Sequence, residues 1–99
     1  MPSSERYPRR RAVPWRTLDT EALVVDVGGG RVYPLNQVAA RIWQLCDGAR
    51  TVETIVRTLA EEFDADEEVI RLDAERFIHE LAGAQLVDVM TAPSPGEGG

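Results

Sequence analysis

The chain has 99 residues, 11 basic and 17 acidic side chains, a formal net charge of −6 and 43% hydrophobic residues. This length accommodates one small domain, which excludes a multidomain enzyme. A single cysteine, Cys46, excludes an internal disulfide framework and a zinc site built from cysteines.

Both ends of the chain are predicted to lie outside the folded part. Residues 1–10 carry prolines, serines and charges, and we expect them to form a flexible arm. Residues 91–99 have no apolar anchor and predict a disordered tail. The remaining residues, 11–90, are expected to form one domain. The N-terminus lacks the apolar run of a signal peptide and no segment is long enough to span a bilayer, so we expect a cytoplasmic protein.

Three strands are predicted in the N-terminal third. Residues 12–18 alternate between two faces, and Pro14 within them indicates an edge strand or a bulge. Residues 22–27 are rich in β-branched side chains and predict the strongest strand. The glycine run 28–30 then predicts a hairpin turn before a short third strand, residues 31–33. The pattern indicates a three-stranded antiparallel meander.

Three helices are predicted to follow the sheet. The apolar period changes from 2 to 3.6, and helices are expected over 37–46, 52–63 and 67–82, with a last extended piece over 86–90. The expected N-caps are Asn36, Thr51 and Asp66. The fold class is therefore α+β: a winged helix-turn-helix-like arrangement in which a three-stranded antiparallel N-terminal sheet precedes three helices.

The winged-helix order raises the alternative of a DNA-binding regulator. Residues 1–34 hold six arginines against four acids, whereas residues 35–90 hold five arginines against twelve acids. An acidic helical region repels the phosphate backbone. The charge distribution therefore favours a peptide or protein partner over nucleic acid.

No constellation of catalytic or metal-ligating residues is predicted. Cys46 lies on the apolar stripe of the first helix and His79 lies off the stripe of the third, so neither has a partner for nucleophilic chemistry. The acidic run 61–68 lacks the central glycine of a calcium loop. We expect a protein that is not an enzyme and has no cofactor or metal.

The third strand is predicted to be an open edge of the sheet. Such an edge offers unpaired N–H and C=O groups to an incoming chain, either a peptide or a second copy in a homodimer. About four or five backbone hydrogen bonds and two buried apolar side chains would reach micromolar affinity, about −8 kcal/mol.

Several motifs resemble the PqqD-like family. They are the segment 30–36 (GRVYPLN), the segment 39–43 (AARIW), the turn 47–52 (DGARTV), and Asp73-Ala74 followed by Phe77. Members of this family are peptide chaperones, or recognition elements, of pathways that modify ribosomally made peptides (RiPPs), including pyrroloquinoline quinone and lasso-peptide biosynthesis.

The resemblance implies that the chain binds the leader segment of a precursor peptide. The leader would add as a strand to the third strand, beside the third helix, and be presented to a modifying enzyme such as a radical SAM protein, a cyclase or a peptidase. Tyr33 and Leu35 are alternatively core residues, because alternation puts them on one face. The peptide-binding residues implied are Arg31, Val32, Tyr33, Pro34, Arg71, Leu72, Glu75, Arg76 and His79.

Overall fold

The computed structural model of the protein describes residues 5–92. Within these residues, five strands and three helices follow one another. They are β1 (Tyr7–Arg10), β2 (Trp15–Leu18), β3 (Glu21–Asp26), β4 (Arg31–Leu35), α1 (Gln37–Leu45), α2 (Val52–Glu62), α3 (Glu67–Gly83) and β5 (Val87–Met90).

The predicted three-stranded antiparallel sheet is confirmed, with β3 between β2 and β4. The β2–β3 turn passes through Asp19 at φ 62°, and the β3–β4 turn passes through Gly30 at φ 68°. Gly30 therefore occupies the left-handed region that the glycine run was expected to supply. The first strand begins later than predicted, at Trp15, and the third extends to Leu35.

A second, two-stranded sheet corrects the prediction of a flexible arm over residues 1–10. Tyr7–Arg10 form β1, which pairs antiparallel with β5. The other side of β1 is also bonded: Pro8 O accepts from Gly48 N at 2.8 Å, and Arg10 N donates to Cys46 O at 2.9 Å. These bonds and the full burial of Pro8 fix the segment. The rest of the predicted arm, residues 1–4, and most of the predicted tail, residues 93–99, lie outside the described residues.

The three predicted helices are confirmed, together with their N-caps. Asn36 Oδ1 accepts from Ala39 N at 2.9 Å, and Thr51 Oγ1 and Asp66 Oδ1 accept from first-turn N–H groups in the same way. Each cap satisfies one of the N–H groups that a helix start leaves without a partner. Asn36 also ends β4, so it sets the point at which the sheet gives way to the helices.

We expect Asn36→Ala to lower the free energy of unfolding by about 1 kcal/mol, because the Ala39 N–H loses its acceptor. Urea unfolding followed by circular dichroism measures the change. Gln37→Ala, one residue further on, is the matched control and is expected to stay within about 0.5 kcal/mol of the parent. Equal effects of the two substitutions would contradict the assigned cap.

The core consists of two adjoining clusters. One lies among the three helices and contains Cys46, whose burial raises the pKa of its thiol to about 12. The other joins the inner face of the sheet to α1, the end of α3 and β5, around the fully buried Trp43. Phe77 packs against both clusters, so α3 holds the sheet and the helices together. Cys46 is a buried apolar residue, as its place on the helix predicted.

Within residues 5–92, no helix has the length and apolar character needed to cross a membrane.

Candidate functional site

β4 has a hydrogen-bonding partner on one side only among the described residues, namely β3. The direction of its backbone groups follows from its neighbours. Val25 of β3 donates its N–H to Pro14 O at 2.9 Å, so the backbone of Val25 faces β2. Val32 lies opposite Val25 in the register, and the two form a pair that exchanges no hydrogen bonds. The N–H and C=O of Val32 therefore point to the open side of the sheet.

Pro34 limits what this edge offers to a partner. Two residues beyond Val32, it faces the same way, but it contributes only a C=O because proline has no N–H. A proline is tolerated here because no strand of the sheet needs its N–H. The edge along β4 thus offers three backbone groups rather than the four or five assumed from the sequence. At roughly 1 kcal/mol each they supply about 3 kcal/mol, so side-chain burial must provide most of any micromolar affinity.

The side chains of β4 alternate between the two faces of the sheet. Leu35 is buried and Tyr33 packs against the core cluster on the inner face, which confirms the alternative interpretation of these two residues. Val32, 57% exposed, lies on the outer face with Pro34. Arg31 is exposed at the start of the strand and makes no ion pair within the described part of the chain.

A groove opens where β4 ends. It lies between the first turns of α1 and the middle of α3, and its volume is about 250 Å³. Apolar atoms form its floor and charged side chains its rim. Ligand pockets for drug-sized molecules are larger, about 300–1,000 Å³, so this groove suits one or two side chains of a peptide. The lining residues are Asn36, Val38, Ala39, Ile42, Asp73, Arg76, Phe77 and Glu80.

Only one of the five predicted helix residues, Arg76, lines this groove. Arg71 and Glu75 lie on the opposite flank of α3, where both are engaged. Arg71 donates to Glu53 of α2, and Glu75 accepts from Arg6 at 2.8 and 2.5 Å. The hydrogen bonds from Arg6 hold the pKa of the Glu75 carboxyl below its ordinary value. The prediction that Arg71 and Glu75 belong to the groove wall is therefore not supported.

Leu72 and His79 lie on the outward side of α3, away from the groove lining. Leu72 is 66% exposed and His79 is also exposed. At about 100° per residue the predicted set covers an arc of about 140°, and the centre of that arc lies roughly 120° around the helix from the centre of the groove-lining positions. The predicted arc and the groove therefore overlap only at Arg76.

The residues that sequence reasoning missed share one stripe of α3. Asp73, Phe77 and Glu80 follow one another at i, i+4 and i+7, next to the buried stripe. That spacing is visible in the sequence, but apolar periodicity alone does not distinguish the wall of a groove from the margin of the core. Among residues 5–92, no group of three or more His, Cys, Asp or Glu side chains is arranged to hold a metal ion.

Comparison with known proteins gives a family match over residues 21–87, from the start of β3 to the start of β5. The matching family is described as coenzyme PQQ synthesis protein D (PqqD). Two curated relatives are PqqA binding proteins of Rhodopseudomonas palustris, 42% identical in strain HaA2 and 40% in strain BisB5, each over 52 residues. These alignments cover 52% of this chain and 51% of each relative, so the chain spans about half the length of the curated relatives it matches.

Two solved structures share the fold. TbiB1 in complex with the TbiA(beta) leader peptide matches with a TM-score of 0.72 and 26% identity, over 81% of this chain and 94% of that one. The PqqD truncation of Methylobacterium extorquens PqqCD, described as a functional and stand-alone RiPP recognition element, matches with a TM-score of 0.67 and 25% identity, over 89% and 93%.

Proposed function

The chain belongs to the PqqD family, and from this premise we propose that it binds the leader segment of a ribosomally made precursor peptide as an added strand on β4. It then presents the peptide to a modifying enzyme, such as a radical SAM protein, a cyclase or a peptidase. The observation that carries the proposal is the N–H and C=O of Val32, which point to the open side of β4 and have no partner among the described residues. The end of this strand leads through Asn36 into the groove between α1 and α3.

The proposed complex combines a weak backbone contribution with a stronger side-chain contribution. About 3 kcal/mol from three hydrogen bonds falls well short of the −8 kcal/mol of a micromolar complex, before the cost of ordering the peptide. Two or three apolar leader side chains, each contributing about 1.5–3 kcal/mol on burial, make up the difference. The groove floor at Val38, Ile42 and Phe77 is the place for one or two of them.

The proposed role is that of a non-catalytic binding module. The two side chains that sequence analysis weighed for nucleophilic chemistry lie apart, with Cys46 buried in the core and His79 exposed on α3. Strand addition needs no proton transfer or covalent step, so backbone groups and an apolar groove suffice. We place this binding in the cytoplasm, where ribosomes release the precursor.

Isothermal titration with synthetic leader peptides tests the proposal and separates it from DNA binding. The probes are PqqA, the TbiA(beta) leader and the leader of any short precursor peptide found encoded beside the gene for this chain, which is the neighbouring leader. We expect micromolar binding of the neighbouring leader that changes little between about 50 and 200 mM salt, because backbone pairing and apolar burial dominate. DNA binding would instead weaken by several orders of magnitude over that range. Absence of binding by the neighbouring leader, or steeply salt-dependent binding of duplex DNA, would contradict the proposal.

A further inference from the structure

The outer face of the three-stranded sheet is apolar on all three strands. The register places Leu23 beside Pro34 and Val25 beside Val32 on this face. None of these four residues belongs to either core cluster, because the helices and β5 pack on the inner face. The apolar residues of the outer face are Pro14, Leu18, Leu23, Val25, Val32 and Pro34.

Such a face is unusual for an antiparallel sheet covered on one side. The uncovered face normally carries polar side chains in alternation with the buried ones. Here it forms a hollow of about 260 Å³ between the start of β2 and the middle of β3, beside Leu23 and Val25. Contiguous apolar surface that stays exposed marks a site of protein association.

Two charged residues lie on this face, and they have opposite signs. Arg16 lies beside Leu23 and Glu21 lies beside Leu18, so the charges sit on neighbouring strands, two positions apart. Neither makes an ion pair within the part of the chain that the structure describes. In a two-fold symmetric contact the same patch faces itself. Arg16 of each copy can then pair with the Glu21 carboxylate of the other copy, so the ion pair forms twice. The face is thus complementary in charge to its own copy.

We propose that the outer sheet face is a homodimer interface whose occupant is a second copy of this chain. This face differs from the edge pairing considered from the sequence, because it leaves the N–H of Val32 on the open edge free for a peptide. Three strands of about five residues give a patch roughly 16 Å long and 14 Å wide. The area of this patch is smaller than the roughly 800 Å² that each partner buries in a standard interface. The dimer is therefore weak, and its population depends on the protein concentration.

Sedimentation equilibrium on the full chain tests the interface with variants that reverse the charges of Arg16 and Glu21, singly and together. The parent is expected to shift from the 11.0 kDa monomer toward twice that mass as its concentration rises to about 1 mM. Arg16→Glu or Glu21→Arg alone places like charges across the contact twice and is expected to weaken the dimer about five- to tenfold. The double variant R16E/E21R restores the complementarity and is expected to dimerise like the parent.

Matched controls keep the charge change but move it away from this face. Arg57→Glu and Glu61→Arg alter exposed residues of α2 by the same charge and are expected to leave the dimer unchanged. A monomeric parent at every concentration would overturn the proposal. So would a dimer that the single exchanges leave unaffected, or a double variant as weak as the singles. Circular dichroism of each variant verifies that it is folded.

Discussion

Val32→Pro is expected to weaken leader-peptide binding at least tenfold while leaving the free energy of unfolding within about 1 kcal/mol of the parent. The N–H of Val32 is the only backbone donor that β4 turns toward its open side, and nothing between residues 5 and 92 accepts from it. Proline removes that donor and places its ring in the path of the incoming carbonyl. Loss of one hydrogen bond of about 1 kcal/mol lowers the affinity about fivefold, and the clash brings the expected loss to at least tenfold.

Val32→Thr is the matched control for this substitution. Threonine keeps the N–H and the β-branched shape that suits a strand, so we expect nearly parental affinity. Titration calorimetry with the same leader measures binding, and urea unfolding verifies the fold. Parental affinity of the proline variant, with the fold intact, would show that the peptide does not pair with β4.

Trp43→Ala is expected to lower the free energy of unfolding by about 3–5 kcal/mol, a large fraction of the total for a domain of this size. Trp43 is fully buried in the cluster that joins the sheet to the helices. Its ring meets Trp15 edge to face, with centroids 6.1 Å apart and planes at 78°. Truncation leaves a cavity where β3 and β4 are held against α1, and therefore also loosens the groove.

Trp43→Phe separates packing from the polar atom of the indole. The Nε1 of Trp43 is buried without a hydrogen-bond acceptor within the described residues. Phenylalanine removes that unsatisfied donor, and this gain offsets part of the lost contact area. We expect Trp43→Phe to cost less than half as much as Trp43→Ala in thermal or urea unfolding followed by circular dichroism. Equal costs would contradict this account of the site.

The sheet and the helices were predictable because their signals are local. β-Branched residues in the segment of β3 predicted a strand. Asn36 and Asp66 predicted the starts of two helices, and in the structure their side chains cap those helices. Strand β1 was missed for the opposite reason. Its partner β5 is about eighty residues away, and the prolines and arginines around Pro8 are typical of a flexible arm when considered alone.

The candidate site was predictable in part. The position of the third strand before the helices indicated an open edge, and the structure leaves that edge open among the described residues. The flank of α3 that faces the edge depends on the angle at which the helix packs against the sheet. The sequence pattern does not specify this packing angle. Arg71 and Glu75 were placed in the groove for this reason, whereas their ion pairs with Glu53 and Arg6 hold them on the other flank.

The most direct test of strand addition on β4 is amide hydrogen exchange at Val32, followed by NMR with and without saturating leader peptide. In the free protein this N–H faces solvent and is expected to exchange rapidly. In the complex it donates to the leader backbone, and we expect its exchange to slow at least tenfold, with amide shifts at Arg31, Phe77 and Arg76. Unchanged exchange at Val32 in a saturated complex, with shifts confined to residues 51–63, would contradict the account.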